Sequence, residues 1–318
     1  MWDLVYSLLG ILGGITLLYV SSGRIVEYVS KLAYNLNLSK IYLGAIIVAF
    51  ITALPELITS VVAATYSNSP HMALGNIVGS NIYNIPVVIG ICWLAKKRLN
   101  LDRHALRKEA LVMLILSTTL MLLLFVTRRL TSWISSMFLL AYPIYLYRSI
   151  KLTNQSGFLT NGGCKYGYKA IRNLAAIITY GLTLVTGAYI LVYSATIMAD
   201  TLRLSHLYAG MNILSLGCII PEIAVSISAA FRDEHDIALG NVIGDNIITI
   251  TLVLGIIGLT TQPEVTVTDI IFTIPFMNLA TILALIASRY GRNIERIHGL
   301  AVMALVIVLY ILETILIA

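Results

Sequence analysis

Two carboxylates stand where charge is least at home. Glu56 and Glu222 each sit inside an apolar stretch, directly after a proline, in the runs Leu54-Pro55-Glu56 and Ile220-Pro221-Glu222. An ionisable side chain at the centre of a membrane span costs about 2.5–3.5 kcal/mol on insertion scales unless it is paired or hydrated, so it points to a site. A buried structural carboxylate is the plainer alternative; recurrence of the same Pro-Glu pair argues against it. Pro55 and Pro221 each remove a helix hydrogen bond and are expected to push Leu54 and Ile220 out of helical geometry, freeing backbone carbonyls. At membrane depth such carbonyls need protein, water or an ion. Carbonyls beside a carboxylate make an oxygen-only ligand set, which suits a hard cation.

A second pair of segments adds donors. Residues 73–82 read ALGNIVGSNI and residues 238–247 read ALGNVIGDNI, with seven of ten positions identical. Gly75 and Gly79, like Gly240 and Gly244, are spaced i, i+4, the pattern that lets helices approach closely, so packing alone is an adequate account of the glycines. Asn76, Asn81, Asn241 and Asn246 bring amide oxygens. Ser80 and Asn84 lie one turn apart on one helix face, and Asp245 and Thr249 occupy that face in the second copy. Asp245 is a third carboxylate in an apolar setting. Glu56, Glu222 and Asp245 together have the charge to hold a divalent ion.

The elements that carry these residues must be membrane spans. Charged residues make up 11% of the 318 positions, 58% are hydrophobic, and the mean hydropathy is +0.90. A soluble protein with so few charges lacks the polar surface to cover itself. Apolar stretches fall near 2–21, 40–65, 72–95, 109–127, 131–148, 170–198, 207–231, 236–260, 268–288 and 298–317, which predicts ten helices with short connections. The first run lacks a basic leader and a small-residue cleavage site, so it reads as a retained span. Cys92, Cys164 and Cys218 are scattered and outline neither a disulfide framework nor a zinc site.

Loop charge orients the spans. With the N-terminus outside, every one of the 21 basic residues except Arg128, Arg129 and Arg203 falls in a cytoplasmic loop. That separation follows the positive-inside rule and places both termini outside. The longest connection, within 150–169, divides the chain into five-helix repeats at 1–149 and 170–318. An odd number of spans per repeat makes the second copy enter from the opposite face. Inverted repeats of this kind build transporters with one midplane site.

The paired motifs, Pro55-Glu56 followed by GNIVGSNIYN (75–84) and Pro221-Glu222 followed by GNVIGDNIIT (240–249), resemble the cation/Ca²⁺ exchanger superfamily, and within it the Na⁺/Ca²⁺ exchangers of prokaryotic type. The resemblance runs along essentially the whole chain. It implies an all-α polytopic membrane protein in which spans 2, 3, 7 and 8 surround the cation sites while long, oblique spans 1 and 6 slide across that core. The family usually reads Gly-Thr-Ser-Leu-Pro-Glu before each glutamate, with the hydroxyls ligating Na⁺. Here Thr52 is kept, but Ala53, Cys218 and Ile219 offer no oxygen side chain. In the second repeat the family commonly has Ser at position 245 and Asp at position 249; this chain has moved the carboxylate back by one turn.

The expectation is therefore a secondary antiporter, not an enzyme, exchanging Ca²⁺ for Na⁺ by alternating access. Its ligands would be Glu56, Glu222, Asp245, Asn84, Ser80, Thr52 and Thr249. Protons as the counter-ion, or another divalent cation as substrate, are the first alternative. A cation channel is a further one, although channels usually form their rings from symmetric subunits. An intramembrane protease is disfavoured because Val242 interrupts the Gly-x-Gly-Asp pattern. No cofactor is expected beyond the transported ions. The expected partners are inorganic cations and membrane lipid, with no nucleic acid and no protein partner, and the expected place is the cell membrane.

Overall fold

The computed structural model describes residues 2–35, 49–95, 103–154, 168–231, 235–290 and 296–317. The basic loops near 36–48, 96–102 and 291–295, the acidic pair Asp233-Glu234 and most of the 150–169 linker lie outside the described residues. Among the described residues there is no strand, only an isolated bridge between Arg129 and Glu264.

The two halves have matching elements. The first half comprises α1 (Trp2–Asn35), α2 (Ala49–Thr52), α3 (Leu54–Thr65), α4 (Pro70–Ala95), α5 (Arg103–Thr127) and α6 (Ser132–Asn154). The second comprises α7 (Tyr168–Leu202), α8 (His206–Ala209), a wide i→i+5 segment at Gly210–Leu214, α9 (Ser215–Cys218) and α10 (Ile220–Phe231). It continues through α11 (His235–Ile248), a second wide segment at Thr249–Val253, α12 (Leu254–Thr260), α13 (Val267–Tyr290) and α14 (Arg296–Ile317). α2 and α9 end at matching positions, α3 and α10 are equal in length, and each pair is separated by the same offset in the sequence.

Six of the described helical runs are long and apolar enough to cross a membrane, and three shorter apolar helices accompany them. They divide by burial. In Pro70–Leu94 and Leu239–Thr260, 83% of the most apolar window is buried, against 28% in Trp2–Ile25 and Ile171–Leu202. A helix apolar on all sides and buried belongs at the centre; one apolar and exposed faces lipid. α1 and α7 are also far longer than a bilayer requires. At 1.5 Å per residue they span about 50 Å, against a hydrocarbon thickness of about 30 Å, so they either tilt or project past it.

Packing fixes the relative directions. α1 runs antiparallel to α7, with Gly10 against Ser194 and Gly14 against Leu191 and Gly187. α4 runs antiparallel to α11, with Asn84 beside Asp245 and Asn81 beside Thr249. Corresponding helices that meet head to tail are what an inverted repeat produces.

The connections α3–α4, α5–α6, α7–α8 and α12–α13 gather on one face. His71 bonds the Glu264 carbonyl at 2.9 Å, Leu130 N–H the Pro263 carbonyl at 3.0 Å, and Val265 N–H the Arg128 carbonyl at 2.9 Å. His206 joins Ser69 at 2.6 Å and Asp200 at 3.0 Å. Asp200, exposed near the end of α7, thus has a partner. Each of these turns also contains a non-glycine residue at positive φ: Asn68, Arg128, Arg203 and Gln262.

Candidate cation site

Each Pro-Glu pair opens a new helix. The expectation that Leu54 and Ile220 leave helical geometry is not met: they begin α3 and α10. The break falls one residue earlier, at Ala53 (φ −72°, ψ −7°) and Ile219 (φ −74°, ψ −5°). Proline is tolerated in a helix's first turn, where its missing N–H has no intrahelical partner to lose, so the chain restarts there instead of unwinding. The Ala53 and Ile219 carbonyls stay paired, accepting from Leu57 and Ile223 N–H at 3.0 Å each. The carbonyls deprived of a proline N–H are those four residues earlier, at 51 and 217.

This geometry brings Glu56 and Glu222, from the starts of α3 and α10, to one place between α4 and α11. Asp245 joins them from α11. One carboxylate oxygen from each of the three lies within 4.8 Å of the other two, and all three side chains are fully buried. Both oxygens of Glu56, both of Glu222 and Oδ1 of Asp245 have no hydrogen-bond partner among the described residues. Like charges this close and out of water oppose one another strongly. Removing each from water costs several kcal/mol, which mutual repulsion increases. The cluster is stable only with bound positive charge, as metal ions or protons.

The neighbouring side chains supply neutral oxygens. Asp245 Oδ2 accepts from Asn84 Nδ2 at 3.0 Å, leaving Asn84 Oδ1 unpartnered. Asn81 donates to Thr249 Oγ1 at 2.8 Å, and Thr249 in turn donates to the Asn246 carbonyl at 3.0 Å. Ser80 donates to the Ile77 carbonyl at 3.0 Å, so its lone pairs remain available on the Asn84 face. Thr52 donates to Asn241 Oδ1 at 3.4 Å beside the Glu222 carboxylate. All seven residues expected from the sequence are buried in this one region.

The surroundings hold further residues. Asn76 donates to Ser60 Oγ at 2.9 Å and to the Glu56 carbonyl at 3.3 Å, and its Oδ1, like that of Asn81, has no hydrogen-bond partner. Their recurrence in the Gly-Asn motif was the readable signal for them. The wide turn at Thr249–Val253, one turn beyond Asp245, carried none. Its first-repeat counterpart, Asn84–Val88, stays α-helical around Pro86. Such turns are frequent at functional sites because they re-aim side chains within a helix.

The glycines divide between packing and open space. A Cβ on Gly75 would meet the Leu207 carbonyl, and one on Gly79 would lie 2.5 Å from the Met211 carbonyl. Gly240, the counterpart of Gly75, has nothing within 4 Å among the described residues.

Comparison with known proteins agrees with this architecture. The model of the family described as "Sodium/calcium exchanger protein" matches residues 6–151 and 172–315. The putative antiporter CaxA of Alkalimonas amylolytica is 32% identical over 299 residues, covering 91% of this chain and 92% of that protein. The sodium/calcium exchanger MaX1 of Methanosarcina acetivorans is 26% identical over 331 residues, covering 91% and 93%. Among solved structures, the sodium-calcium exchanger NCX_Mj soaked with Na⁺ and Sr²⁺ superposes with a TM-score of 0.67 at 26% identity, covering 98% of both chains. The chain belongs to the sodium/calcium exchanger family, and is a multi-pass membrane transporter of the cation-exchanger class, not an enzyme.

Proposed function

We propose that this protein is a secondary-active antiporter that moves Ca²⁺ against Na⁺ by alternating access, with Glu56, Glu222 and Asp245 as the charged ligands. Asn84, Ser80, Thr249 and Thr52 complete the oxygen set. The observation that carries the reading is the convergence of three fully buried carboxylates within 4.8 Å of one another. Such a site crosses between states only when occupied, because the empty, charged form is too costly to expose to the apolar interior. Obligatory occupancy is what couples the outward movement of one ion to the inward movement of another. In this account the chain has ten spans as two inverted repeats, 1–149 and 170–318, with the 150–169 linker inside and both termini outside.

One observation favours protons as the second reading for the counter-ion. Ala53, Cys218 and Ile219 stand where the resemblance puts Na⁺-ligating hydroxyls, while three carboxylates that accept protons remain, one of them moved by a turn. Uptake of radiolabelled Ca²⁺ into proteoliposomes, with Na⁺ and H⁺ gradients imposed separately, distinguishes the two. Uptake driven by an outward Na⁺ gradient at equal pH supports Na⁺ coupling. Uptake driven only by an outward H⁺ gradient replaces it with H⁺ coupling, and no uptake under either gradient overturns the antiporter reading.

A further inference from the structure

The two repeats bond their matched asparagines differently. Glu56, Ser60 and Asn76 recur as Glu222, Ser226 and Asn241, and α10 packs against α11 as α3 packs against α4. In the first repeat Asn76 Nδ2 donates to the Ser60 hydroxyl at 2.9 Å and to the Glu56 carbonyl at 3.3 Å. A backbone carbonyl can only accept, so the Asn76 amide has one orientation. Asn76 thereby ties the first turns of α3, and Glu56 with them, to α4.

The second repeat holds the same three residues without the same bonds. Asn241 Nδ2 has no hydrogen-bond partner among the described residues, so it meets neither the Ser226 hydroxyl nor the Glu222 carbonyl. Asn241 Oδ1 instead accepts from Thr52 of the other repeat at 3.4 Å. Both asparagines are buried, and a buried donor left unmet is costly. Composition is equal in the two halves at these positions; conformation separates them. In an inverted repeat the axis relating the halves lies in the membrane plane, so exchanging their conformations exchanges the face to which the site opens.

We infer that Asn76 and Asn241 are positioning residues that act in turn. Asn76 pins Glu56 in the state seen here; in the oppositely facing state Asn241 pins Glu222, through the Glu222 carbonyl and Ser226, while Asn76 lets go. The inference rests on the proposed alternating access and names a residue pair that biases it. Neither asparagine has to touch the ion, because each sets where its glutamate stands. A bond made in one state alone shifts the equilibrium toward that state.

The half-saturating Ca²⁺ concentration at each face, measured on the full chain inserted in one orientation in proteoliposomes, tests the pair. Asn76→Ala removes a tie of the present state and Asn241→Ala a tie of the other. The ratio of the two half-saturating values should therefore shift in opposite directions, about threefold or more each. The double variant should return near the parent ratio. Ser60→Ala and Ser226→Ala delete one acceptor and little volume; they should give the same opposed shifts and serve if the asparagine variants do not fold. Shifts in one direction, or an unchanged ratio with lowered thermal stability, overturn the inference, since packing alone predicts them. Amide hydrogen exchange reads the same equilibrium without flux. Asn76→Ala should speed exchange in α3 and slow it in α10, and Asn241→Ala should do the reverse. Such opposed changes in a protein without Ca²⁺ flux would overturn the exchange reading and leave the alternation standing; their absence overturns the alternation whatever the flux.

Discussion

Asp245 holds Asn84 with one oxygen, leaves the other unpartnered among the described residues, and shares a cluster with Glu56 and Glu222. A carboxylate kept only to brace α4 would have no reason to lie within 4.8 Å of two others, where repulsion works against folding. Asp245→Asn preserves the shape and can still accept from Asn84, but removes the charge. Ca²⁺ affinity measured by calorimetry should fall about tenfold or more, a loss of about 1.4 kcal/mol or greater. Unchanged affinity with lowered thermal stability would assign Asp245 to bracing alone. The exchange Asp245→Ser with Thr249→Asp returns the charge to the same helix face one turn on. It should recover part of the affinity that Asp245→Ser alone loses. Failure of the double variant to bind better than the single one would show that position 249 cannot aim a carboxylate at the ion, as its place in the wide turn would explain.

At the scale of elements, the core is held by backbone contact. The wide turn at Gly210–Leu214 lies directly on α4, and a Cβ on Gly210 would fall on the Met72 carbonyl. Overpacking of this kind costs about 1–3 kcal/mol, so Gly210→Ala should lower the Tm in detergent. Gly240→Ala is the matched control. With nothing within 4 Å among the described residues, it adds a better helix former and should leave the Tm unchanged or raise it. Equal loss in both variants would contradict this division. The comparison also shows what the sequence could convey. The apolar runs, the Pro-Glu pairs and the repeated Gly-Asn motif mark α3, α4, α10 and α11 because each reflects a local rule of burial, helix chemistry or spacing. Three features escape local rules. The break at Ala53 and Ile219, one residue before the expected position, depends on how the next helix restarts. The wide turns depend on what packs against them. That Gly75 is crowded by the Leu207 and Met211 backbone depends on which neighbour it meets.

The whole molecule carries its asymmetry between faces. The four connections at Asn68, Arg128, Arg203 and Gln262 are tied to one another through His71, His206 and the Arg129–Glu264 bridge. Segments separated by an even number of crossings must share a face, so this clustering fits the proposed alternation. On the proposed orientation, that face is the outer one. Cysteines introduced at Asn68 and Glu264, both exposed, should react with an impermeant maleimide added outside intact cells, and one at Asn100 should react only after permeabilisation. The reverse pattern would invert the topology without altering the site. Buried Ser69, bonded to His206, is unsuited to such a tag despite its place in the same loop.

The central claim is that the three-carboxylate cluster is where Ca²⁺ binds and crosses. Uptake of radiolabelled Ca²⁺ by proteoliposomes carrying Glu56→Gln or Glu222→Gln tests it most directly, with each variant first shown to be monodisperse and inserted in equal amount. Either substitution keeps the size and polarity of the side chain and removes the charge. Uptake should fall to that of protein-free vesicles in both. Near-normal uptake in either variant would contradict the account.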